Sequence, residues 1–178
     1  GDAEAVNYAE ALYRAAHNQT DRLCGLKAVL ESGETQRQQS LIEHFYRHWK
    51  DDTQMIETWF ALQAGSDGVK VDQLKDLMAH EAFDMTNPNK VRSVLGGFAT
   101  NFKAFHDANG SGYQFISEQI SALNGINPQI AARFVKTLEN WKQFSPEYSE
   151  LMHEALASIL STDGLSPDVL ELTQKAMA

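Results

Sequence analysis

Apolar residues recur at spacings of three and four along almost the whole chain, and nowhere do β-branched residues alternate with polar ones as a strand requires. A chain patterned this way folds as helices. The first stripe reads Ala5, Ala9, Leu12 and Ala16. Thr20-Asp21 then cap a second helix carrying Leu23, Leu26 and Leu30, which Gly33 stops. A third helix bears Leu41, Phe45 and Trp49. A fourth bears Met55, Ile56, Trp59, Phe60 and Leu62 and ends at Gly65 and Gly68, and a fifth carries Val71, Leu74, Leu77 and Met78. The run Phe83 to Asn89 breaks the pattern, because Pro88 forces Asn87 out of the helical region. The period resumes through Val91, Val94, Leu95, Phe98 and Phe102.

Punctuation is cleaner in the second half. Asn109-Gly110-Ser111-Gly112 forms a turn, after which Tyr113, Ile116, Ile120 and Leu123 share one face. Asn127-Pro128, Ser145-Pro146 and Ser166-Pro167 each place a polar cap before a proline at the first helical position, where the missing N–H costs nothing. They open helices bearing Ala131, Phe134, Val135 and Leu138, then Tyr148, Leu151, Met152, Ala155 and Ile159, then Val169, Leu172, Thr173 and Ala176. About ten helices joined by loops of a few residues must lie antiparallel to their neighbours. No strict repeat of about 30 to 50 residues is visible, which disfavours a formal tetratricopeptide or ankyrin array. Irregular antiparallel pairs stacked as a HEAT- or armadillo-like α-superhelical solenoid are favoured over a closed bundle. No linker divides the chain, so residues 1–178 read as one all-α domain.

Composition removes several function classes. A chain of 178 residues can close one core without disulfides or metal staples. Fifteen Lys and Arg against 24 Asp and Glu give a net charge of −9, which repels phosphate backbones and anionic headgroups, so no nucleic-acid partner is expected. No apolar run approaches the ~20 residues of a membrane span. The single Cys24, between Leu23 and Leu26, reads as a small buried apolar residue. The acidic opening Gly1-Asp2-Ala3-Glu4 is no secretory signal. It lacks an initiating Met and enters a helical pattern at once, so a piece of a longer polypeptide is expected.

Candidate chemistry is sparse. A zinc-peptidase site needs two His one helical turn apart and a Glu directly after the first. His80-Glu81 and His153-Glu154 begin that pattern, but Asp84 and Ala157 stand where the second His belongs. His44 and His48 have the spacing, with Phe45 in place of the base. They read as polar residues on a solvated face, with adventitious chelation as the alternative. The Asn109 turn lacks the Lys and the strand of a phosphate loop. The sequons at Asn18 and Asn109 read as cap and turn chemistry. Lys90, Arg92 and Arg133 read, from spacing, as surface cations paired with nearby acids.

Four ordered runs carry more. Trp59-Phe60-Ala61-Leu62-Gln63-Ala64, Asn87-Pro88-Asn89-Lys90-Val91-Arg92-Ser93, Asp107-Ala108-Asn109-Gly110-Ser111-Gly112-Tyr113 and Asn127-Pro128-Gln129-Ile130-Ala131-Ala132-Arg133 resemble the C-terminal domain of bacterial aminopeptidase N, the zinc-dependent alanyl aminopeptidase family. The likeness extends from Asn18 to Ala178 and is weak in the opening helices and at Thr100 to Lys103. It implies a superhelical domain that caps the catalytic domain of the same polypeptide. The zinc ligands, base and transition-state Tyr would then lie upstream, leaving no metal and no catalytic residue in this chain, which alone should be inactive. It also implies a cytoplasmic enzyme, with peripheral association to the inner membrane left open. Matched residue by residue, Arg92, Gln129 and Arg133 fall on the wall of the cavity that admits peptide substrates. The rival expectation is a free-standing helical-repeat module that binds a protein or peptide.

Overall fold

The computed structural model describes residues 3–178, and among these there is no strand. The helices are α1 (Ala3–Ala15), α2 (Gln19–Leu30), α3 (Thr35–Trp49), α4 (Thr53–Ala64), α5 (Val71–Ala79), α6 (Pro88–Val91), α7 (Gly97–Thr100), α8 (Phe102–Phe105), α9 (Ser111–Asn124), α10 (Pro128–Val135), α11 (Pro146–Leu160) and α12 (Pro167–Met177). A π-helical turn, Arg92–Gly96, joins α6 to α7, and short 3₁₀ turns at Lys136–Leu138 and Trp141–Gln143 come after α10. Packing runs between near neighbours: α1 on α2, α2 on α3, α3 on α4, α4 on the π turn and α7, α9 on α10 and α11, and α12 on α10 and α11. Such neighbour-by-neighbour stacking is an all-α solenoid. Its core runs the length of the chain, from Val6 through Phe45, Phe60, Phe98 and Ile116 to Val169.

Side-chain caps start four of the longer helices. Asn18, Asp52, Asn127 and Ser166 accept from backbone N–H groups in the first turns of α2, α4, α10 and α12. Two expectations shift here. Asn18, not Thr20-Asp21, caps α2, and Ser145 makes no side-chain cap bond.

The buried stripe of α1 is Val6, Ala9 and Tyr13, continued by Ala16 just past its end, with Ala5 exposed. The helix is rotated from the expected face because Tyr13 packs inward and its hydroxyl shares a 2.8 Å hydrogen bond with His44 Nδ1. Gly25 sets the approach of α2 to α1: a Cβ there would stand 2.6 Å from the Ala9 carbonyl oxygen and 2.7 Å from the Tyr13 nitrogen. This face of α2 is Gly25, Leu26, Val29 and Leu30, so Cys24 turns outward and is exposed, contrary to the buried reading.

The stripe from Val91 to Phe102 is also broken. Asn101 ends α7, caps Ala104 N–H, and donates from Nδ2 to the Ser66 carbonyl at 2.6 Å. The chain turns there, and Phe102 is left 71% exposed against the His106 ring.

Candidate functional site

Asn87 opens the relevant segment, its side-chain oxygen accepting from the Asn89 and Lys90 N–H groups ahead of Pro88. The helix then widens into the π turn, whose first residue is Arg92. Such turns occur often at functional sites because they offset side chains from the regular α stripe. Gly97 lets this segment lie on α4, since a Cβ would meet the Ala61 carbonyl oxygen at 3.0 Å. Arg92 Nη1 donates to Asn89 Oδ1 at 3.2 Å, which steadies the guanidinium and leaves most of its donors free.

Asn127-Pro128 positions the other wall. The cap fixes α10 so that Ile130, Ala131, Phe134 and Val135 are buried while Gln129, Arg133 and Lys136 remain accessible. Arg92 and Arg133 line one open cleft of about 610 Å³, with Gly96, Gly97, Ala99, Ile130 and Phe134 supplying mostly apolar walls. Gln129 lies outside that cleft. It lines an adjoining depression of about 470 Å³ together with Arg133, Lys136, Asp168 and Glu171. Arg133 belongs to both, so the three residues picked out by resemblance form a chain of neighbours and not one pocket.

Spacing read these cations as partners of nearby acids. Among the described residues neither Arg92 nor Arg133 has an acidic oxygen within 4.0 Å, although Asp168 and Glu171 share a groove with Arg133. Two guanidiniums bordering an apolar cleft can hold a carbonyl or carboxylate by charge-assisted hydrogen bonds, which strengthen as water is excluded. Lys136, Asp168 and Glu171 escaped the sequence reading. Lys136 stands three residues after Arg133 and so was legible as a neighbour, but the facing of α12 on α10 was not.

No three His, Cys, Asp or Glu side chains converge as a metal ligand set among the described residues. His44 and His48 have nearly parallel rings with centroids 6.4 Å apart, and Tyr13 already engages His44 Nδ1. Burial and the nearby Arg14, His48, Arg47 and Arg22 push the His44 pKa below its ordinary value. His80 is held by the Ala82 N–H on Nδ1 and by the rings of Tyr46, Trp59 and Phe60.

The family described as a domain of unknown function (DUF3458_C) with ARM repeats matches residues 1–178. The chain belongs to this family. As a DUF3458_C chain it aligns with the C-terminal portion of aminopeptidase N from several bacteria. It is 35% identical over 180 residues to that of Caulobacter vibrioides, covering 99% of this chain and 21% of the relative. It is 36% identical to aminopeptidase N of Haemophilus influenzae, covering 96% and 20%, and 34% identical to that of Escherichia coli K12, covering 93% and 19%. The DUF3458_C chain thus spans about a fifth of the length of these curated relatives. A crystal structure of Legionella pneumophila aminopeptidase A in complex with aspartic acid superimposes with a TM-score of 0.91 at 30% identity, over 97% of this chain and 20% of that one. The ARM-repeat description agrees with the neighbour-to-neighbour packing of α1 to α12.

Proposed function

We propose that the 178 residues act as one non-catalytic C-terminal domain of a cytoplasmic zinc aminopeptidase, capping the catalytic domain of the same polypeptide and lining the cavity through which peptides reach the metal. The observation that carries this reading is the cleft holding Arg92 and Arg133 without acidic partners, in a chain that aligns with part of aminopeptidase N. The described residues offer no zinc ligand set, so no chemical step is assigned to them. Their contribution is positioning. Arg92 and Arg133 hold peptide oxygens downstream of the scissile bond, Gln129 extends the same wall, and enclosure excludes water around the bound segment.

The test uses the intact enzyme. Arg133→Ala should weaken peptide binding or shift substrate preference about tenfold while zinc content stays normal, the size of one lost charge-assisted contact. Unchanged kinetics across a peptide panel would leave Arg133 a surface cation. The 178-residue chain alone should release no product from an alanyl chromogenic substrate, and turnover with stoichiometric zinc would refute the division of labour.

A further inference from the structure

A second cavity, of about 310 Å³, opens where α3, α4 and α5 converge and shares no lining residue with the Arg92–Arg133 cleft. Its apolar lining includes Ile42, Leu77, Val69 and the Trp59 indole, whose Nε1 is fixed by donation to the Ile42 carbonyl at 3.0 Å, and the His80 ring also borders it. Three glutamines stand around it, each tied at one end only. Gln38 Nε2 donates to the Leu30 carbonyl at 2.7 Å, Gln63 Nε2 donates to the Trp59 carbonyl at 3.0 Å, and Gln73 Oε1 accepts from the Lys70 N–H at 2.9 Å. The Gln38 and Gln63 oxygens remain as acceptors and the Gln73 amide as a donor. A carboxamide already held at one end loses less freedom on pairing with a ligand. Asp76 stands exposed at the rim of the same cavity, and its carboxylate has no hydrogen bond or ion pair among the described residues.

Free acceptors, a free donor, an apolar bed and one unpaired carboxylate fit a specific class of ligand. We infer that this groove is a second peptide-binding site, for an extended segment carrying a lysine or arginine side chain. The alkyl stem lies on Ile42, Leu77 and the edge of Trp59, and the cation reaches Asp76. Main-chain N–H and C=O groups of the segment pair with the three carboxamides, as they would with a neighbouring strand. An acidic side chain is repelled by Asp76, and a norleucine fills the bed but leaves the carboxylate unpaired. The site lies apart from the Arg92–Arg133 cleft and does not depend on the chain's place in an aminopeptidase.

The experiment is a titration of the ¹⁵N-labelled 178-residue chain with acetyl-Ala-Lys-Ala-amide, blocked at both ends so that no aminopeptidase can consume it. Saturable shifts are expected at the side-chain amides of Gln38, Gln63 and Gln73 and at the Trp59 indole. The norleucine peptide should bind about fivefold more weakly, the worth of one partly exposed charge pair, and the glutamate peptide more weakly still. Asp76→Asn should erase the lysine preference while leaving the rest of the spectrum in place. Equal binding of all three peptides, shifts confined to the Arg92–Arg133 cleft, or no saturable shift at these amides would each overturn the assignment.

Discussion

In the corner made by α1, α2 and α3, Arg37 lies 3.0 Å from Glu34 and 3.7 Å from Glu10, and Arg14 lies 2.8 Å from the same Glu10. On α10 and α12, Arg133 and Lys136 share a groove with Asp168 and Glu171, yet no acid comes within 4.0 Å of either cation among the described residues. Both regions draw on the same residue types. The first uses its charges to tie helices together, and the second leaves them available beside an apolar cleft. Among the described residues only Arg14, Lys27 and Arg37 have an acid within 4.0 Å, so what sets Arg92 and Arg133 apart is less the lack of an acidic partner than the apolar cleft they border.

The corner should fail first when its close approach is blocked. Gly25→Ala puts a Cβ 2.6 Å from a backbone oxygen that cannot swing away, and should cost about 2–3 kcal/mol by urea unfolding. Cys24→Ala, one residue away on the exposed side, should change stability by less than about 0.5 kcal/mol. An equal response at both positions would show that α1 does not depend on the contact.

Acid should loosen the same corner next. The folded pKa of His44 lies below its ordinary value of 6.5, through burial first and then the cations Arg14, Arg47 and Arg22 with His48. Protonation thus favours the unfolded chain. The stabilisation is complete above pH 6.5 and is lost as pH falls below it. Urea midpoints taken from pH 7.5 downward should drop, and His44→Gln should flatten part of that slope. His106, lowered by its burial beside Tyr113 and Phe144, contributes to the slope that remains. At the other extreme Tyr113, pushed up to about 12 by burial and by Tyr148, should make stability fall as pH rises through 10 towards 12.

The smallest effects bear most directly on the contrast. Arg37→Ala should cost about 0.5–1 kcal/mol, less at high salt, while Arg133→Ala should stay within about 0.5 kcal/mol of the parent. A loss at Arg133 as large as at Arg37 would mean that its guanidinium also serves the fold.

Most of this architecture was legible because helix stripes and caps are local. The proline-led starts of α10, α11 and α12 fall where the sequence places them, and Tyr113, Ile116, Ile120 and Leu123 are all buried on one face of α9. The errors arise where a distant group decides. Ala5, Ala9, Leu12, Ala16 and Val6, Ala9, Tyr13, Ala16 obey the same spacing, and the close approach of α2 at Gly25 and the partner of the Tyr13 hydroxyl on α3 choose between them. Phe102 fits an apolar period, but Asn101 turns the chain because it finds a carbonyl at Ser66. At the candidate site, Arg92, Gln129 and Arg133 are marked by resemblance alone. Their division between two adjoining cavities depends on how α10 meets the π turn and α12, which no local pattern encodes.

The π turn at Arg92–Gly96 can be viewed as a phase shift in a spiral. One residue more than an α turn requires is absorbed there, so the helical segment beyond it is rotated by about 100° relative to an uninterrupted helix. Deleting Ser93 would let the ladder close as a regular α-helix, with every later residue keeping its neighbours in sequence. Arg92 would then leave the cleft edge it shares with Arg133 while the apolar core could still form. The wide turn thus makes chain length itself, counted to a single residue, a determinant of whether Arg92 and Arg133 border one cleft.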